Sequence, residues 1–256
     1  MKSVNSMQER NKLLHEFLNI GEMMLASGAE IKRVEDTLIR LGTAYGAIKM
    51  NVFVITSSIV VTMAFENGEE LTQTRRIMYE LGTDFTRLEA LNELSRLCCA
   101  NPLTVEELKQ QITLIDQKAS KKQLYLGSVI GGGCFAIFFG GTLLDGAVAA
   151  IFALFICVLK NKLKPICPNN VIFNLLCSFL TGIGICVTAR IFPLLHSDMI
   201  MIGDIMLLIP GLVMTNSIRD IFVGDTISGV MRLVESCLWA GAIASGFMIA
   251  IQLIGV

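Results

Sequence analysis

The stretch "IPGLVMTNSIRDIFVGDTISGVMRLVE", Ile209–Glu235, interrupts apolar sequence with a Pro-Gly pair, an Asn, two arginines and three carboxylates. An anchor needs none of these residues, so the sequence on either side decides what kind of fold contains them. Upstream, Met199–Ile218 reads as a membrane span holding a single charge, Asp204; downstream, Ser236–Val256 is uncharged. A bilayer core takes roughly 20 apolar residues as a helix. On that measure Gln123–Leu144 and Pro165–Ala189 are also spans. Gly146–Leu159 is 14 residues long. It crosses only with Asp145 at one interface and Lys160 and Lys162 snorkelling to the other, and a re-entrant segment is the competing reading. The expected spans are therefore five, near 123–144, 145–160, 166–189, 199–218 and 235–256.

Composition agrees. Hydrophobic residues make up 53% of the 256, with a net charge of −1, which excludes the basic footprint of a nucleic-acid binder. Of the 43 Lys, Arg, Asp and Glu, only 12 follow Lys122, so a polar first half precedes a membrane-like second half. The charged N-terminus, "MKSVNSMQERNKLLHEF", lacks the apolar core of a signal peptide. Five of the eight cysteines (Cys134, Cys157, Cys177, Cys186 and Cys237) lie in apolar runs, Cys98-Cys99 end an amphipathic helix pattern, and no C-x-x-C pair occurs. They read as reduced small hydrophobes, with no metal or cofactor expected.

Loop charges orient the chain. Lys118, Lys121 and Lys122 precede the first span, Lys160, Lys162 and Lys164 follow the second, and Arg219 and Arg232 precede the fifth. These loops fall on one side, the cytoplasm. The polar half is then cytoplasmic and the C-terminus outside.

That half, residues 1–120, reads as an α+β domain. Helical periodicity covers Asn11–Ser27 and Ile31–Tyr45, where Ile31, Val34, Leu38 and Leu41 recur. Strands are expected near 51–56, 58–66 and 69–76, with Asn67-Gly68 as a hairpin turn. Helices return at Asp84–Cys99 and Thr104–Lys118, the latter opened by a Thr104/Glu107 capping box. The fold class is thus an α-helical multi-pass membrane protein, residues 121–256, with an N-terminal cytoplasmic α+β domain.

Few motifs carry chemistry. "GSVIGGG", Gly127–Gly133, lacks a phosphate loop's Gly-Lys-Ser/Thr ending and lies within a span, so close helix packing is its reading. Gly140-Gly141, Gly182, Gly184, Gly241 and Ser245 extend such stripes to every span but the second and fourth. His15 and His196 lack the spaced partners of a metal site or relay and read as structural. Ser57, Ser58, Glu30 and Asp84 are the only enzyme candidates in the polar half; there is no nucleophile elbow, and turn and cap chemistry explains them. Asp204 differs, because a charge within a span costs about 2.5–3.5 kcal/mol on insertion scales. Pro210 removes a helical hydrogen bond close to it, and Gly211 lets backbone or ligand approach. Asp204, Leu208, Gly211 and Thr215 share one helical face, with Asn216 beside it; Ser228, Arg232, Glu235 and Trp239 share another on the next helix. Broken helices line cavities in transporters.

The Pro-Gly, Asn, Arg-Asp, Gly-Asp, Ser-Gly order of Ile209–Glu235 resembles the threonine/serine exporter family. "ASGAEIKRVEDTLIRLGTAYG", "TSSIVVTMAF" and "DFTRLEALNEL" resemble that family's opening domain. Pro210, Gly211, Asn216, Arg219, Asp220 and Asp225 fall on its motif. The family occurs as one long chain or as two subunits, and this chain resembles the larger subunit of the split form, which works with a small all-membrane partner. The resemblance implies export of a small carboxylate-bearing metabolite, threonine and serine or a dicarboxylate such as succinate, across the cytoplasmic membrane and driven by the proton gradient. Pro210 and Asn216 are then expected at the substrate, Arg219 on its carboxylate, and Asp204 or Asp220 as the titrating group. Lipid and a second copy of the chain are further expected partners. A membrane-tethered enzyme and a non-transporting scaffold subunit are the alternatives.

Overall fold

The computed structural model describes residues 6–78, 82–116 and 121–255. The first five residues, the expected helix end at Lys118 and the side chain of Lys121 lie outside the described parts. Two compact units result: one joins the segment up to Ala119 with Leu212–Leu233, the other joins Ser120–Gly211 with Val234–Val256.

The first unit has helices α1 (Met7–Ala26) and α2 (Ile31–Ala44), strands β1 (Lys49–Ile55), β2 (Ser58–Ala64) and β3 (Glu70–Arg76), and helices α3 (Phe85–Ala100) and α4 (Val105–Asp116). The strands form one antiparallel sheet in the order β1-β2-β3. Ile55 pairs with Ser58, so Thr56-Ser57 is a two-residue turn, and Ala64 pairs with Glu70 across a loop in which Gly68 takes φ 80°. Strict alternation puts Ile59, Val61 and Met63 on the inner face. That face packs on α1, whose Leu13, Leu14, Phe17, Leu18 and Met24 are fully buried. A Cβ on Gly21 would stand 3.1 Å from Ile59 and 3.2 Å from Leu38, so α1 touches both the sheet and α2 at a point where only glycine fits without displacement. Thr104 and Glu107 form the expected capping box: Thr104 N–H donates to the Glu107 carboxylate at 2.8 Å, and Glu107 N–H to Thr104 Oγ1 at 3.3 Å. Helix α9 (Gly211–Val223) and the start of α10 (Thr226–Ile254) complete the unit.

The second unit is helical: α5 (Lys121–Phe138), α6 (Leu143–Lys162), α7 (Asn170–Ile191), α8 (Ser197–Leu208) and the C-terminal part of α10. Among the described residues, α6, α7 and α10 are long and apolar enough to cross a membrane, and α8 with α9 adds a fourth crossing if the pair is one broken span. Only 33% to 44% of the most apolar stretch of each long helix is buried, so most of it faces outward, as lipid contact requires.

Two span expectations shift. The first expected span, 123–144, is interrupted: α5 stops at Phe138, Gly140 takes φ 109°, and Gly141 N–H bonds back to Ala136 O at 3.0 Å. Thr142 then caps α6 in a capping box with Asp145. Helix α6 thereby gains length and, at 20 residues, satisfies the length that its 14-residue apolar stretch left in question. The close-packing stripes also differ from expectation, because the second and fourth expected spans do contribute. A Cβ on Gly146 would lie 2.6 Å from Ile137, and one on Gly203 would lie 2.7 Å from Gly132 O and 2.9 Å from Ala136 N. Gly241 meets nothing within 4 Å, whereas Gly246 packs directly on Ser178 and Leu175.

Gly203→Ala is therefore expected to destabilise the second unit by about 1–3 kcal/mol, because helix backbones must move apart to admit a methyl group. Gly241→Ala should leave stability unchanged or raise it slightly. Thermal stability of the detergent-solubilised variants, followed by size-exclusion recovery, separates the two. Equal losses would contradict the packing described.

Candidate functional site

The candidate pathway residues fall into two clusters, one in each unit. In the second unit, the mutual approach of Gly203 and Gly132 brings α8 against α5 with no side chain between them. Asp204, next along α8, is fully buried, and its Oδ1 lies 3.3 Å from where a Cβ on Gly132 would be. Neither carboxylate oxygen has a hydrogen-bond partner among the described residues. An isolated ionised carboxylate away from water is too costly to persist. Pro210 is buried in the break after α8, where Ile209 closes the helix with its N–H on Ile205 O at 3.0 Å. Gly211 is exposed, and a Cβ there would meet nothing within 4 Å, so there is open room at the break.

The same unit holds a second buried carboxylate that is fully satisfied. Asp145 accepts from Thr142 N–H and Oγ1 at 2.8 Å each, and from His196 N–H at 2.9 Å; the His196 ring Nδ1 lies 3.0 Å away. His196 thus ties the α7–α8 turn to the start of α6, a structural part in keeping with its expected role. His15, in the first unit, stands 3.2 Å from Arg75.

In the first unit, α9 lies on the α1–α2 turn. Gly28 adopts φ 92°, which turns its carbonyl to accept from Asn216 Nδ2 at 3.1 Å. Arg219 Nη1 donates to Glu30 Oε1 at 2.7 Å, with the arginine side chain 62% exposed and the glutamate 19%. Asp220 is buried and accepts from Arg232 Nη1 at 3.1 Å; Arg232, also buried, reaches Ala29 O at 3.5 Å. Asp220 also accepts from the Ile31 backbone N–H. It thus places a negative charge at the start of α2, where Glu30 supplies no side-chain cap of its own. Asp225 joins α9 to α10, donating its N–H to Asp220 O at 2.9 Å and accepting from Gly229 N–H. Its charge adds to burial in pushing Glu35 up from the ordinary carboxylate range, against the opposing Val54 N–H, 3.3 Å from the Glu35 carboxylate. A small cleft beside Asn216 is lined by Leu25, Gly28, Thr83, Phe85 and Leu212.

The enzyme candidates are used structurally. Ser57 and Ser58 lie at the β1–β2 turn, where Ser57 O accepts from Ile77 N–H. Asp84 caps α3, its Oδ1 accepting from Arg87 N–H at 3.0 Å, and Glu30 is held by Arg219. Arg232 is the residue that sequence reasoning leaves out of the candidate pathway set; its signal is that it and Arg219 are the only cations in Ile209–Glu235, a stretch that also holds Asp220 and Asp225. Of the four residues expected on one face of the next helix, Ser228, Arg232 and Trp239 are buried and Glu235 is exposed, and Ser236 beside it is buried.

Apolar helices long enough to cross a membrane, a Pro break beside a buried carboxylate and a compact α+β unit define a polytopic membrane protein. Residues 16–254 match the family model ThrE, described as "Putative threonine/serine exporter", and the chain belongs to that family. It is 23% identical over 245 residues to a threonine/serine exporter of Corynebacterium glutamicum, covering 91% of this chain and 50% of that protein. The chain thus spans about half the length of this curated relative. No solved structure matches.

Proposed function

We propose that the chain is a subunit of a secondary exporter that moves a small carboxylate-bearing metabolite out across the cytoplasmic membrane in exchange for protons. Threonine and serine are the first substrates to consider, and dicarboxylates such as succinate the second, since both offer the carboxylate that Arg219 suits. The observation that supports this reading most is Asp204, fully buried on a helix that ends at Pro210, with both carboxylate oxygens unpartnered among the described residues. A packing role would not require an unsatisfied acid there, whereas a coupling group must be able to gain and lose a proton as its exposure changes. Arg219 is the natural substrate contact, because its partner Glu30 is released when a substrate carboxylate takes its place.

A small all-membrane subunit supplies the rest of the pathway in this reading, in keeping with a match to half of the Corynebacterium relative. Lys122, Lys160, Lys162 and Lys164 support a cytoplasmic first unit, and the C-terminus then lies outside with α5 as a fifth crossing beside α6, α7, the α8–α9 pair and α10.

The test is efflux from proteoliposomes loaded with labelled threonine, serine or succinate, with the chain alone and with its small partner. Efflux that rises with an imposed pH gradient only when both are present is the expected result. Absence of efflux from inserted, folded protein in every combination would overturn the proposal and favour a scaffold role.

A further inference from the structure

The transport reading uses only one end, Arg219 and Glu30, of the open groove between α2 and α3 in the first unit. Its walls are two helical stripes. Lys32, Arg33, Asp36, Thr37 and Arg40 lie on one face of α2, related by three- and four-residue spacings such as 33–36–40, and Asn92, Ser95, Arg96 and Cys99 lie likewise on α3. Arg219 and Glu30 close one end. The groove carries five cations against two carboxylates, a surplus of three positive charges on a chain whose net charge is −1. Both carboxylates are already engaged: Asp36 lies 3.6 Å from Lys32, and Glu30 accepts from Arg219 at 2.7 Å. The side chains of Arg33, Arg40 and Arg96 make no hydrogen bond or ion pair among the described residues.

We propose that this groove binds a phosphate-bearing anion. Three unengaged guanidiniums around one concavity present more donors and charge than a single carboxylate can satisfy. A phosphate offers three terminal oxygens and close to two charges, and guanidinium forks pair with it bidentately. A zwitterionic amino acid is disfavoured, because its ammonium meets the same surplus of positive charge. The groove is therefore a second anion site that meets the transport reading only at its Arg219–Glu30 end. The phosphate comes either from a soluble metabolite or from a lipid headgroup.

Pyrophosphate is the probe, titrated calorimetrically into the full chain in phosphatidylcholine nanodiscs. Saturable binding is expected, falling about tenfold or more in Arg33→Gln and in Arg96→Gln, while Lys12→Gln on the exposed face of α1 binds as the unmodified chain does. Repeating the titration in nanodiscs containing phosphatidylglycerol separates the sources. Unchanged affinity points to a soluble ligand, and competition that disappears in Arg33→Gln assigns the groove to a lipid headgroup. The proposal is overturned if pyrophosphate does not saturate at millimolar concentration, if the arginine variants with unaltered melting temperature bind equally well, or if succinate binds as tightly as pyrophosphate.

Discussion

Asp204→Asn is expected to reduce gradient-driven efflux to the background of empty liposomes, at least a hundredfold below the unmodified exporter, while the protein still inserts and folds. Asparagine matches aspartate in size, so the glycine contacts between α5 and α8 survive the change. What is lost is the capacity to carry a proton. An exporter that cannot take up a proton for its return step can still exchange labelled for unlabelled substrate across the membrane, because exchange requires no net proton movement. The variant should therefore keep exchange while losing net efflux. Loss of both would assign Asp204 to substrate binding or folding, and retention of both would remove it from the mechanism.

The second large effect concerns the buried pair of Asp220 and Arg232, 3.1 Å apart and each under 5% exposed. Arg232→Ala should destabilise the first unit by about 3–5 kcal/mol, because it leaves a buried carboxylate uncompensated. Replacing both partners with neutral residues of similar volume, Asp220→Leu with Arg232→Met, should recover most of that loss, since neither charge then needs compensation. The exposed pair of Arg219 and Glu30 gives the contrast: Arg219→Ala should cost less than about 1 kcal/mol in stability. A thermal-melt double-mutant cycle checks all three. If the double variant is no more stable than Arg232→Ala, the pair is not the coupled unit described. Export should stay absent in the double variant even where folding returns, because Asp220 also fixes α9 to the start of α2.

Much of this architecture is legible in local sequence. The helical period of Ile31, Val34, Leu38 and Leu41 and the alternation of Ile59, Val61 and Met63 mark α2 and β2 directly, and Asn67-Gly68 marks the turn between β2 and β3. The capping pair of Thr104 and Glu107 is equally local. The break between α5 and α6 is harder to see, because Gly140-Gly141-Thr142 is neutral and passes as span sequence. Only the combination of a positive φ, a back-bonded N–H and a capping threonine makes it two helix ends. The candidate site is legible as a list of residues and not as an arrangement. Asn216 and Gly28 are 188 residues apart, and Arg219 and Glu30 are 189 apart, so no periodicity links them. Nor does sequence show that α9 packs with the N-terminal unit: its apolar pattern is the same as that of a span's final turns, and the difference lies in the buried Ser217 and Asp220.

Proton movement tests the central claim most directly. A pH-sensitive dye is trapped in proteoliposomes holding the chain and the proposed small membrane partner, and an outward substrate gradient is imposed with no initial pH difference. The account predicts that substrate efflux acidifies the lumen, and that Asp204→Asn abolishes the acidification. Substrate efflux with no change in luminal pH, or an undiminished signal in Asp204→Asn, would contradict it.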